Sequence, residues 1–249
     1  MRYYSQFRQD KFIDFVVFNK KKSGFFIDIG AYDGILFSNS YFFEITRNWR
    51  GICFEPNPTV FEKLRKNRKS LNYNACIGSE KKDVLFWQIK GSAEMLSGIR
   101  EFYDQQHLER IGKESGINNE NVKEILVEMA PITNFIKFDT APIPIDFLSI
   151  DTEGNEIDIL KSIDFKLFSI KSISIENNYH KYEIDEILEK NNFEKLIILG
   201  CDYLYVHKDL LKIGLKLRLF CWKVFFTSFD FFIKKKKNFL AKVSFFLKK

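Results

Sequence analysis

The sequence predicts an α/β fold built on a mainly parallel sheet. Short apolar runs alternate with helical stretches from residue 25 to residue 176, the rhythm of right-handed βαβ units. Glycines and acids gather just after the apolar runs, where such sheets bind their ligands. The last two runs, 196–199 and 203–207, are joined only by Gly200-Cys201-Asp202. They must pair antiparallel, which puts an antiparallel final strand at one edge of the sheet.

The elements follow in order. Residues 5–19 predict an N-terminal helix, with Ser5 as a cap and Phe12, Phe15 and Val16 on one face. A polar turn leads into Phe25–Ile29, a run short and apolar enough for a buried parallel strand. A helix is expected near 39–48, a strand at Gly51–Glu55, and a helix at Pro58–Arg68 with proline in its first turn. Tyr73–Ile77 reads as a third strand, and Val84–Ile89 as an edge or hairpin strand. Residues 99–126 are polar and helical in flavour, an excursion from the core. Ile145–Ile150, a helix at 155–162, Ile170–Glu176 and a helix at 180–191 resume the pattern. Three regions result: an N-terminal helical segment, 1–22; the main α/β domain, 23–208; and a basic, Phe- and Lys-rich tail, 209–249.

The 249 residues suffice to bury a large core without staples. The four cysteines, Cys53, Cys76, Cys201 and Cys221, form no CxxC pair and read as reduced thiols. Net charge is +6, yet residues 212–249 hold eleven Lys or Arg against one acid, Asp230. The main domain is therefore mildly acidic, which argues against a nucleic-acid partner. The first residues lack an apolar signal core and no run is long enough to span a bilayer, so a cytoplasmic protein is expected.

Two segments carry the chemistry. In Phe25–Gly34 a strand bearing Asp28 runs into Gly30, with Tyr32 and Gly34 in the same turn. Glycine there lets a ligand approach bare backbone. The spacing is G-x-x-x-G rather than the G-x-G-x-x-G of dinucleotide sites, which suits a nucleoside without a pyrophosphate. Glu55 ends the next strand, placed to accept both ribose hydroxyls. The third strand ends at Ile77, beside an expected adenine slot. The second segment is Asp151-Thr152-Glu153-Gly154-Asn155-Glu156, where three acids crowd one strand-to-helix turn. Such crowding is unfavourable without a nearby positive charge, whether a sulfonium or a divalent metal. Glu156 is read as a helix-capping acid. Glu176 and His180 follow the neighbouring strand, so Asp151, Glu176 and His180 are the candidate bases for removing a hydroxyl proton. Asp151, Glu153 and Glu176 also form a hard-oxygen set able to hold Mg²⁺.

These segments resemble the FkbM-like S-adenosylmethionine-dependent methyltransferases. The matching pieces are Ser5–Asp10, Phe26–Gly34, Cys53–Pro58, Ile145–Glu156 and Leu199–Val206. The resemblance implies a Rossmann-like class I methyltransferase fold and O-methylation of a sugar, glycan or related small molecule. It also implies Asp28, Gly30 and Gly34 around the methionine part of the cofactor, and Glu55 at its ribose. Arg8 stands where the family often has glycine, and the tail lies outside the family core.

In the tail, Leu210, Ile213, Leu217, Phe220 and Val224 keep helical spacing on one face, with Lys212, Lys216 and Lys223 largely on another. A basic amphipathic helix of this kind suits an anionic membrane surface. The expectation is peripheral attachment to the inner face of a membrane and a small-molecule or lipid-linked glycan acceptor. A helix packed on the domain is the plainer alternative. For the whole chain the competing readings are a noncatalytic membrane-associated binding module, a nicotinamide-dependent sugar oxidoreductase, and an RNA methyltransferase.

Overall fold

A computed structural model describes residues 1–115, 121–136 and 143–224. The chain opens with a short helix, α1 (Gln9–Phe12), continued by one π-helical turn, Ile13–Val17. This is shorter than the helix expected over 5–19, because the Asp10 carboxylate takes the Tyr4 and Ser5 amides and the Ser5 hydroxyl into a turn. Next come β1 (Phe25–Ile29), α2 (Tyr41–Arg47), β2 (Arg50–Phe54), α3 (Pro58–Asn67) and β3 (Leu71–Tyr73). Helix α3 starts where the sequence places it. The Asn57 side chain accepts from the Thr59 and Val60 amides, and Pro58 fills the first turn.

A second sheet then interrupts the pattern. Its strands are β4 (Cys76–Ile77), β5 (Lys82–Ile89), β6 (Gly98–Ile99) and β7 (Val122–Ala130), with α4 (Gln105–Ser115) between the last two. The expected single strand 73–77 is thus split: Tyr73 pairs in the large sheet, and Cys76 pairs with Met129 in the small one. Residues 122–126, expected as helical, pair antiparallel with Ile89 through Leu85. Long-range pairing overrides the local helical flavour there.

The chain returns to the large sheet with β8 (Ile143–Ile150), α5 (Glu156–Ser162), β9 (Phe168–Glu176), α6 (Tyr182–Lys190), β10 (Phe193–Leu199) and β11 (Asp202–His207). The strand order is β3-β2-β1-β8-β9-β11-β10. The final strand is antiparallel to both neighbours, as its short connection requires. It slots in between β9 and β10, one place in from the edge, where it can also pair with β9. The order reverses between β1 and β8, the switch point at which such sheets open a crevice.

Alternation along the strands builds two cores. Ile27, Ile29, Ile52, Leu148 and Ile150 face α5 and α6. Phe26, Phe147, Leu204 and Val206 face Phe12, Phe42, Phe43 and Trp49 on the other side. Residues 213–224 form a last helix on that second core. Its buried side chains are Leu215 and Trp222. The face that the helical spacing singles out, Ile213, Leu217, Phe220 and Val224, points outward, so the helix packs through other residues than those of the plainer reading. Residues 225–249 of the tail lie outside the described residues.

Candidate active site

The switch point carries a cavity of about 330 Å³. Its floor is the carboxyl ends of β1, β2, β8 and β9, with Gly30, Glu55, Asp151 and Glu176. The small sheet covers it with Phe86 and Ile99, the helical turn Gly91–Leu96 between β5 and β6 adds Glu94 and Met95, and Gln6, Phe7 and Gln9 close one side.

Gly30 holds the floor together. Its φ is +83°, and an added Cβ would lie 1.7 Å from the Asp151 carbonyl oxygen. The amides of Gly30 and Ala31 donate to the Phe54 carbonyl at 3.0 Å, and the Asp151 amide donates to the Ile29 carbonyl at 3.0 Å. The ends of β1, β2 and β8 are thereby laced into one surface that only glycine permits. Tyr32, also at positive φ, donates its amide to Glu55 Oε2 at 2.9 Å, and Asn57 donates its amide to Oε1 at 2.8 Å. A carboxylate has lone pairs beyond these two, so Glu55 can still accept hydroxyls from the cavity. Burial pushes its pKa up to about 7 against the pull of those amides. The Tyr32 hydroxyl donates to Glu94 Oε2, joining the floor to the cover.

Two residues expected at the cofactor lie beneath the cavity rather than in its lining. Asp28 is buried and accepts the Ser40 hydroxyl. It shares the face of Phe26, whose ring lies under the Arg68 guanidinium at 5.2 Å. Gly34, φ +82°, packs on Leu64 and Arg68. Both shape the turn from below. Ile77 does line the cavity with Ala75 and Cys76, and its carbonyl accepts from the Asn155 side-chain amide at 2.8 Å.

On the opposite wall, Asp151, Glu153 and Glu176 bring one carboxylate oxygen each within 4.8 Å of one another, and Asp202 lines the same wall. Burial is the largest cause of their raised pKa values; repulsion from neighbouring acids adds to it for Asp151 and Glu176, while at Glu153 the pull of Arg110 opposes it and Glu156 and Glu114 add to it. Asp151 and Glu176 are pushed well above the usual carboxylate range, Glu153 to about 8 and Asp202 to about 6. Arg110, the one basic side chain among the described lining residues, reaches Glu153 at 3.3 Å. Asn178 donates to Glu176 at 2.6 Å, and Gln9 donates to Asp202. Glu156 has a different task. It accepts the Thr152 and Gly154 amides and the Thr152 hydroxyl, stabilising the turn before α5.

His180 does not join these acids. It is exposed at φ +53° with its Nδ1 against the Tyr203 hydroxyl, outside the lining. Asp151 and Glu176 therefore converge without it. Sequence reasoning also missed Gln9, Glu94, Arg110 and Asp202. Gln9 and Asp202 lie 193 residues apart, and only the acid in Leu199–Val206 hinted at the pair.

The arrangement suits a nucleoside: an apolar slot at Ala75, Cys76 and Ile77, a carboxylate for a sugar, and a buried Asn155 oxygen with no partner among the described residues. Strand order, switch-point cavity and the Glu55 position together define a Rossmann-like methyltransferase fold. The chain belongs to the FkbM methyltransferase domain family, whose model matches residues 28–205. A solved methyltransferase FkbM from Methylobacillus flagellatus KT is 15% identical, with a TM-score of 0.44 over 74% of this chain. The match spans 43% of that protein's length. A precorrin-6y C5,15-methyltransferase from Geobacter metallireducens GS-15 is 13% identical, with a TM-score of 0.35, covering 74% of this chain and 80% of its own. No curated protein matches the chain.

Proposed function

We propose that the chain moves a methyl group from S-adenosylmethionine to a hydroxyl of a sugar or glycan-type acceptor. The observation that carries this reading is the pairing, in one cavity, of the Glu55 side with a wall of four carboxylates, Glu176 and Asp202 buried and Asp151 and Glu153 half-buried. When bound, the cofactor supplies a methyl group on a positively charged sulfur. Glu55 holds the ribose hydroxyls, while the floor at Gly30 and the slot at Ala75–Ile77 take the rest of the nucleoside. The acids at the ends of β8 and β9 favour a positive charge beside them. As an acceptor oxygen takes the methyl it must lose its proton, and Asp151 or Glu176 receives it. Their raised pKa values make them stronger bases than ordinary carboxylates.

Labelled methyl uptake tests the proposal, using a panel of free saccharides, nucleotide sugars and lipid-linked saccharides. Transfer to a hydroxyl of one class supports it. Calorimetric binding of a nicotinamide dinucleotide, with none of S-adenosylmethionine, favours the oxidoreductase. Cofactor binding with no turnover on any acceptor favours a binding module. Turnover is expected to survive chelation, because Glu153 already has Arg110 and Glu176 has Asn178. Loss on chelation with recovery on added Mg²⁺ would reassign the three acids to a cation.

A further inference from the structure

The helix of residues 213–224 is apolar on two opposite sides. Its inner stripe, Leu215, Leu219 and Trp222, packs on the second core. Trp222 meets Phe12 edge-on at 5.2 Å. Arg218 donates to the Val16 carbonyl at 2.8 Å and to the Val17 carbonyl at 3.4 Å. The outer stripe is Ile213, Leu217 and Phe220, which are 78%, 59% and 66% exposed. Lys212, Lys216 and Lys223 form a column along one side between the stripes. A helix covered on one side only leaves its second apolar stripe for another surface.

The helix also has a direction. It passes the Val16 and Val17 carbonyls first and Phe12 afterwards, so it runs back along the N-terminal helix toward Gln9. Gln9 bonds Asp202 in the cavity wall. Twelve residues at about 1.5 Å each carry the chain roughly 18 Å, and residue 224 leaves toward the cavity end. Beyond it, residues 225–249 hold eight Phe and seven Lys against one acid. Phe7, Leu36 and Phe37 are also exposed, and Phe7 and Phe37 line the cavity.

We propose that the outer stripe of this helix is a docking face for an anionic bilayer surface, seated in the interface with its lysines toward the headgroups. Charge decides between occupants. A second copy packed antiparallel, stripe to stripe, would bring the two lysine columns together, and a parallel one would leave them uncompensated, whereas an anionic leaflet complements both the column and the basic residues that follow in the sequence. Among the described residues no helix is long and apolar enough to cross a membrane, so the contact is interfacial. One consequence rests on the methyl-transfer reading: a cavity at the docked end of the molecule takes its hydroxyl from a lipid-anchored acceptor.

Flotation of the full-length chain tests this, using vesicles of phosphatidylcholine alone and of phosphatidylcholine with phosphatidylglycerol. The wild type is expected to float with the anionic vesicles and to stay behind with the neutral ones. The double substitution Leu217→Glu, Phe220→Glu is expected to cut vesicle binding about ten-fold or more, with melting temperature and cofactor affinity unchanged. A wild type that does not float, or a variant that floats as well as it does, overturns the proposal. A wild type that sediments as a dimer which the variant dissolves assigns the stripe to a second copy and overturns it too. Cofactor affinity is measured without vesicles, so a failure of the methyl-transfer reading shows separately.

Discussion

Glu55 accepts two backbone amides and still faces the cavity, so its loss has a double cost. Glu55→Gln should weaken binding of the demethylated cofactor, S-adenosylhomocysteine, about 10- to 100-fold, the worth of a charged hydrogen bond or two. Calorimetry checks this, and circular dichroism should find the fold intact because glutamine keeps one acceptor. Gly30→Ala should do the reverse. The methyl group would overlap the Asp151 carbonyl at a backbone angle that alanine tolerates poorly, costing about 3 kcal/mol or more. Denaturant melts should register that loss whether or not a ligand is present. Asp28 and His180 show why residue type alone misleads. Asp28 sits in the motif, yet strand alternation turns it to the Phe26 side. His180 follows the right strand, yet the turn at positive φ sends its ring to Tyr203.

At the level of elements, β8, β9 and β11 each bring acids to one wall. Asp151→Asn and Glu176→Gln should lower turnover far more than cofactor affinity, by about 10²- to 10⁴-fold for whichever acts as base. Two fully active variants would remove the acceptor site from this wall. The wall also links stability to pH. These carboxyls hold their protons more tightly folded than unfolded, so their contribution is complete below the unfolded values and is lost as pH rises through the folded ones. Glu153 spans 4.5 to about 8, Glu55 4.5 to about 7 and Asp202 3.8 to about 6. The ligand-free protein should therefore melt at progressively lower temperature from about pH 5 to pH 8, as scanning calorimetry would show. Turnover should rise with pH as the base, Asp151 or Glu176, loses a proton that burial and neighbouring acids hold well above the usual carboxylate range. The small sheet is the element that the sequence hid. Two residues of non-strand chain, Asn74 and Ala75, separate β3 from β4, and no local pattern announces that the chain changes sheets there.

Across the whole molecule, charge is divided between a mildly acidic main domain and a basic tail. The cavity collects acids that favour a cationic ligand, while the basic residues 234–249 follow in sequence a helix that packs on the second core. Salt should separate them. Raising ionic strength should loosen any attachment through the tail while leaving the buried acid wall little affected, because solvent ions screen exposed charges far more than buried ones. Flotation and cofactor calorimetry at two salt concentrations would show the difference.

The sequence by itself determined the parallel α/β core, the glycine turn at Gly30, the carboxylate at Glu55 and the acids after β8 and β9. Each is written in short-range periodicity and in turn chemistry a few residues long. The tertiary structure decided which acids share a wall, that β11 inserts beside β9, that Gln9 reaches Asp202, that a second sheet roofs the cavity, and which side of the last helix is buried. Those outcomes depend on contacts between residues far apart in the chain, and the cost of closing such loops is repaid only once the whole core has assembled.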